Sequence, residues 1–169
     1  AARCAGLMVS LATLWRGQVI YFLRYQHGHE PIVLSVGGYP LHLSSPALRI
    51  LLEMPEAEAL AVLEASRERY GWERPARCVP ASAQAALKAA RGMLRHGGLV
   101  LAGWQGEGRL TAAMPVEVPG YPLAALALSG PEGKRPHEEI LLLLQEGRRE
   151  VEAALNSGEF EHAHASVQQ

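Results

Sequence analysis

No apolar run in the sequence approaches the ~20 residues a helix needs to cross a bilayer. The longest, residues 123–128 and 140–144, are of core size. Cysteine is scarce: only Cys4 and Cys78 occur, far apart. That excludes a disulfide framework and a CxxC metal pair, and makes a reducing cytoplasm the expected compartment. Charge is sparse, at 20% of residues against about 25% in an average domain. The surface is therefore lightly charged, and part of it is expected to be covered by a partner subunit. The formal net charge of −1 leaves no concentrated basic face for gripping a nucleic-acid backbone. Lysine is nearly missing; of 16 basic residues only Lys88 and Lys134 are lysines. No GxGxxG turn follows a strand, and there is no P-loop and no GxSxG elbow. With no nucleophile, base and orienting group assembling, neither an enzyme nor a cofactor is expected. The chain opens in mid-pattern on Ala1 and has no signal peptide, as expected of a fragment lacking its natural N-terminal part.

What is present suits one α+β domain of 169 residues with a single substantial core, 49% of the chain being hydrophobic. Runs rich in β-formers predict strands at 7–15, 18–25 and 31–36, the first two joined around Gly17 as a hairpin. Ser44-Ser45-Pro46 predicts a helix start, since serine caps well and a proline in the first turn lacks an N–H that would be unpaired anyway. That helix runs to residue 53. A second begins at Pro55, with Glu56 and Glu58 suiting its dipole. A third spans 82–96, with Gly97-Gly98 stopping it. Three more strands are predicted at 99–103, 109–117 and 122–129. A last helix starts at Pro136, and its apolar residues Ile140, Leu144, Gly147, Val151 and Leu155 make one buried stripe. Residues 1–157 form the domain, and 158–169 read as a flexible polar tail. Hairpin-connected strands with segregated helices predict a mostly antiparallel sheet of about six strands, not a doubly wound one.

Several residues invite a chemical reading. His27-Gly28-His29-Glu30 either seats a metal or is an exposed loop, and no committed third ligand accompanies it. His162-Ala163-His164 lies in the tail and is weaker, so no metal site is expected. Cys4 has no activating neighbour and reads as an inert thiol. Trp104, in a glycine-flanked loop, either caps a pocket or plugs a core edge. The stretch 37–47 brings a glycine pair, then Pro40-Leu41-His42, then the serine-capped helix start. There, free N–H groups either receive an anion or are satisfied by Ser44 or Ser45 capping their own helix.

The order Val36-Gly37-Gly38-Tyr39-Pro40-Leu41-His42-Leu43-Ser44-Ser45, followed by a helix, resembles the signature of the IclR-type transcription regulators. Residues 97–115 look like that family's "Gly-Tyr … Gly … Ala-x-Pro" stretch. Leu123-Ala124-Ala125-Leu126-Ala127-Leu128-Ser129-Gly130-Pro131 is similar to its "plaAlsvSGP" strand. The resemblance spans nearly all of residues 1–157. It implies a GAF-like effector-binding domain, with helices on both faces of the sheet and a ligand cavity on one. It implies a dimer or tetramer, a small organic effector such as an apolar or aromatic acid, and DNA contact only through a winged helix-turn-helix expected upstream.

Mapped onto this chain, the family's effector site falls on Ser44, Ser45, Leu101, Thr111, Ala127 and Ser129. The departures are plain. Pro46 removes one backbone donor, Ala47 stands where many members have glycine, an acidic position falls near Leu101 or Ala102, a cysteine position falls on Thr111, and Ala127 replaces one of two serines. Either the ligand is more apolar than the family's small acids, or side chains fill the cavity. The reading is a ligand-sensing and oligomerisation domain of an IclR-type regulator, coupling ligand to DNA by population shift. The alternative is a stand-alone GAF-like binding domain, and the upstream reading frame separates the two. Residues 1–169 alone are expected to give no shifted band with operator DNA in a low-salt gel, and sequence-specific binding by this chain would refute that.

Overall fold

The computed structural model describes residues 4–157; the tail, with His162 and His164, lies outside them. The chain runs β1 (Met8–Trp15), β2 (Gln18–Gln26), β3 (Ile32–Gly37), a 3-10 turn (Leu41–Leu43), α1 (Ser45–Leu51), α2 (Glu56–Tyr70), α3 (Ala83–Gly92), β4 (Leu94–Arg95), β5 (Gly98–Ala102), β6 (Arg109–Val116), β7 (Ala124–Pro131) and α4 (His137–Asn156). The strands form one sheet in the order β3-β2-β1-β7-β6-β5-β4, and every pairing is antiparallel. The fold is thus α+β, as the hairpin spacing predicts.

Alternation divides the sheet into two faces. Leu110, Ala112, Met114 and Val116 of β6 join Leu126 and Leu128 of β7 against Ile140 and Leu144 of α4. The opposite face carries Ala12, Leu99 and Leu101, packed with Ala47, Leu48 and Leu51 of α1 and with buried residues of α2 and α3. In β6 and β7 this second face is made of small residues: Thr111 and Ala113, then Ala125, Ala127 and Ser129. Short side chains let α1 lie close on the sheet.

Several boundaries differ from the sequence expectation, and α1 ends at Leu51 rather than residue 53. The third helix stops at Gly92 rather than continuing to residue 96. Leu94 and Arg95 instead pair with Leu99 and Gly98 as a short seventh strand. His96 and Gly97, both at positive φ, make the tight turn between them, and that turn chemistry outweighs the helical propensity of the alanine-rich segment. The last strand starts at Ala124 and runs on to Pro131.

His42 fixes the approach to α1. Its ring is 1% exposed, stacks on Trp72 at 3.8 Å between centroids, and donates from Nε2 to the Glu73 carbonyl at 2.7 Å. Burial lowers its pKa below the ordinary 6.5, against the opposing pull of the Glu73 carbonyl and carboxylate. A histidine held neutral in the fold stabilises above its ordinary pKa, and that contribution is lost as the pH falls. Stability should therefore drop below about pH 6.5, with a slope of at most about 1.4 kcal/mol per pH unit. His42→Phe, which keeps the stack and cannot titrate, should flatten the curve. Parallel urea-denaturation curves for the two proteins between pH 7 and 5 would exclude the role.

Candidate functional site

A cavity of about 240 Å³ lies between the small-residue face of the sheet and the start of α1. The sheet supplies Met8 and Ser10 from β1, Tyr21 and Arg24 from β2, Arg109 and Thr111 from β6, and Ala127 and Ser129 from β7. Tyr39, Ser45, Pro46 and Gln105 close it from above.

Of the six residues the family resemblance points to, four therefore line one cavity: Ser45, Thr111, Ala127 and Ser129. Register explains their meeting, for Thr111 pairs with Ser129 across β6 and β7, and Ser10 pairs with Ala127 across β1 and β7. Ser44 and Leu101 are not in the lining. The Ser44 hydroxyl accepts from the Ala47 N–H at 3.3 Å and so caps its own helix. Leu101 pairs with Thr111 but is sealed in the core at 1% exposure. Trp104 is likewise core, at 1% exposure, and it is its neighbour Gln105 that reaches the cavity.

The helix start is a poor anion seat. Helix α1 has seven residues, Pro46 lies in its first turn, and the Ala47 N–H is taken by Ser44. The Leu48 N–H is bonded to the Ser44 carbonyl. Positive charge instead comes from Arg24 and Arg109, which the sequence reading did not single out. Arg24 owes its place to a β-bulge. The pairing steps from Leu11↔Leu23 to Ala12↔Tyr21, so Phe22 is an extra residue in β2. The bulge shifts the alternation by one and brings Arg24 to the same face as Tyr21. Its guanidinium lies 4.9 Å from the Tyr21 ring centroid. Nη2 reaches the Met8 sulfur at 3.6 Å, while the buried Nε has no hydrogen-bond partner.

Tyr39 and Gln105 form the polar roof. Gln105 donates from Nε2 to the Leu43 carbonyl at 3.0 Å and bonds the Tyr39 side chain. The Tyr39 hydroxyl is pushed up to about 12, chiefly by burial and then by neighbouring Tyr21, so it stays protonated at neutral pH and can donate. In the floor, Thr111 is 3% exposed and its hydroxyl has no partner.

The other candidates do not assemble into sites. His27 and His29 are exposed in the β2–β3 turn, and no group of three or more His, Cys, Asp or Glu able to hold a metal occurs among the described residues. No helix among them is long and apolar enough to cross a membrane. Cys4 is half-buried and Cys78 exposed, both as free thiols.

A buried hydroxyl without a partner costs about 1–3 kcal/mol. Thr111→Val, of nearly the same shape, should leave the ligand-free protein as stable or more stable by about 1 kcal/mol. Measured by urea denaturation, a clear loss of stability in the variant would mean that the hydroxyl is already satisfied.

No protein-family model matches the chain, and no curated protein matches it. Solved structures do share its fold. The C-terminal domain of the E. coli transcriptional regulator KdgR is 20% identical, with a TM-score of 0.71 over 90% of this chain and 89% of that one. An IclR homolog from Microbacterium hydrocarbonoxydans, complexed with 4-hydroxybenzoate, is 21% identical with a TM-score of 0.67; 89% of this chain matches 61% of it. The inducer-binding domain of a double mutant of the PobR transcription factor from Acinetobacter, in complex with 3-hydroxybenzoic acid, is 18% identical with a TM-score of 0.64, over 86% of this chain and 87% of that one. The chain spans less than two thirds of the longer regulators, 61% of the Microbacterium protein and 64% of a transcriptional regulator from Rhodococcus sp. RHA1. The chain has the fold of the C-terminal, effector-binding domains of IclR-type transcription regulators.

Proposed function

We propose that this chain is the effector-binding domain of an IclR-type regulator, which senses a small organic acid and passes the signal to a DNA-binding domain elsewhere in the protein. The observation that carries this reading is the cavity itself. It is lined by Ser45, Thr111, Ala127 and Ser129, and its walls hold arginine, tyrosine, serine and glutamine side chains. Such a lining suits a carboxylate held by arginine and a neutral tyrosine hydroxyl. It offers no nucleophile aligned with a base, which favours binding over catalysis. The aromatic acids bound by the Microbacterium and Acinetobacter proteins support a ligand of this kind.

Signal transfer requires the ligand to favour one arrangement of the assembly, by no more than its differential affinity for the two. Assembly into a dimer or tetramer is part of the reading. It is supported by edge strand β3, where Ile32, Val33 and Leu34 are 56%, 71% and 66% exposed, an unprotected apolar edge of the kind that monomers avoid.

Ligand size separates the candidates. Pyruvate leaves much of the cavity unfilled, whereas a benzoate ring also buries apolar area against Met8, Tyr21 and Pro46. At about 25 cal/mol per Å², another 80 Å² or so of burial contributes about 2 kcal/mol. In calorimetry at neutral pH, 4-hydroxybenzoate should bind at least about tenfold tighter than pyruvate. Equal or tighter binding of pyruvate, or ring binding unchanged by a cavity-filling Ala127→Phe, would overturn the assignment.

A further inference from the structure

The cavity's charge is unbalanced. Its lining contains two arginines and no acidic residue. Neither Arg24 nor Arg109 has an ion-pair partner among the described residues, although five other arginines do. Glu73 bears electrostatically on Tyr39 but does not line the cavity. Arg109 is exposed and stands at the rim, whereas Arg24 is half-buried, with its Nε enclosed and unbonded. Thr111, 97% buried by its 3% exposure, lines the same space with an unused hydroxyl. Unspent donors around two unpaired cations are what a bound anion would satisfy; a protein rarely leaves a buried guanidinium N–H unbonded without such a partner.

We infer that the ligand of this cavity is a dianion, a small molecule with two negative charges, held between Arg24 and Arg109. This rests on the effector-site reading and sharpens it. One anionic group meets Arg24 and Thr111, and the rim arginine takes the second charge. A monocarboxylate leaves one guanidinium without a counter-charge. A second charge adds a charge-assisted hydrogen bond at Arg109, and the attraction between the positive mouth and the ligand rises with ligand charge. The chemistry is shared by dicarboxylates and phosphate monoesters, and small probes distinguish them.

The experiment is calorimetry on the whole chain with ligands built on one ring: 4-hydroxybenzoate as the monoanion, terephthalate as the dicarboxylate and phenyl phosphate as the phosphate monoester. At pH 8 at least one dianion should bind tenfold or more tighter than 4-hydroxybenzoate, and whichever dianion wins names the class. Its advantage should shrink as salt is raised. Arg109→Gln, at an exposed position, should remove most of that advantage and weaken 4-hydroxybenzoate far less than the dianion. Arg24→Gln should weaken all three, and Arg24→Lys should partly restore binding; thermal unfolding of each variant identifies any that fails to fold, in which case Arg109→Gln and the salt series decide. If 4-hydroxybenzoate binds as tightly as both dianions, and Ala127→Phe still blocks it, the dianion inference fails and the effector site stands. If none of the three binds, or Ala127→Phe blocks none of them, the effector site fails and the inference with it.

Discussion

The site depends on a mismatch of length between α1 and the sheet beneath it. A helix of seven residues spans about 10 Å, roughly three residues of strand. The strands it crosses are eight residues long. Where α1 lies, the sheet presents alanines such as Ala12 and Ala125, both fully buried, and the backbones approach closely. At the start of α1, the same face continues as Ser10, Thr111 and Ser129, covered only by Ser45 and Pro46 of the helix and by Tyr39 and Gln105. A void there would cost stability if it were apolar. The lining is about half polar instead, so water or a ligand can fill it at little cost.

That geometry also decides which polar groups face the cavity. The helix start looks suited to an anion, yet its donors are largely spent: Ser44 caps Ala47, and Pro46 has no N–H to offer. The side chains of β2 and β6 compensate from the flanks. Arginine from a strand reaches farther than a backbone amide and carries a full charge, so the loss of polar residues at Leu101 and Ala127 does not make the cavity apolar. The expectation of a depleted pocket counted only the positions the family resemblance supplies.

Much of the fold was legible because its signals are local. In β6, Leu110, Ala112, Met114 and Val116 face one layer while Thr111 and Ala113 face the other. The stripe Ile140, Leu144, Val151 and Leu155 marks α4 just as directly. The end of α3 was not legible, because alanine-rich helix propensity extends through the segment that the His96-Gly97 turn bends into a strand. Four of the residues that the resemblance points to do meet at one cavity, since Thr111 pairs with Ser129 across neighbouring strands.

Arg24 could not be placed in this way, for a reason that is physical. Strict alternation along β2 puts Leu23 on the face of Tyr21 and sends Arg24 to the other. The bulge at Phe22 reverses this assignment. Nothing in the residues around Phe22 announces the bulge, since no glycine marks it and the segment is rich in strand formers. Its cause is long-range. Without it, Leu23 would face the polar cavity and Arg24 would face the apolar layer shared by Leu11, Leu126 and Leu128. With it, Leu23 pairs with Leu11 in that apolar layer, and the guanidinium meets Tyr21 and open space. An extra residue in one strand thus resolves the conflict between a strand's hydrophobic pattern and the arginine within it.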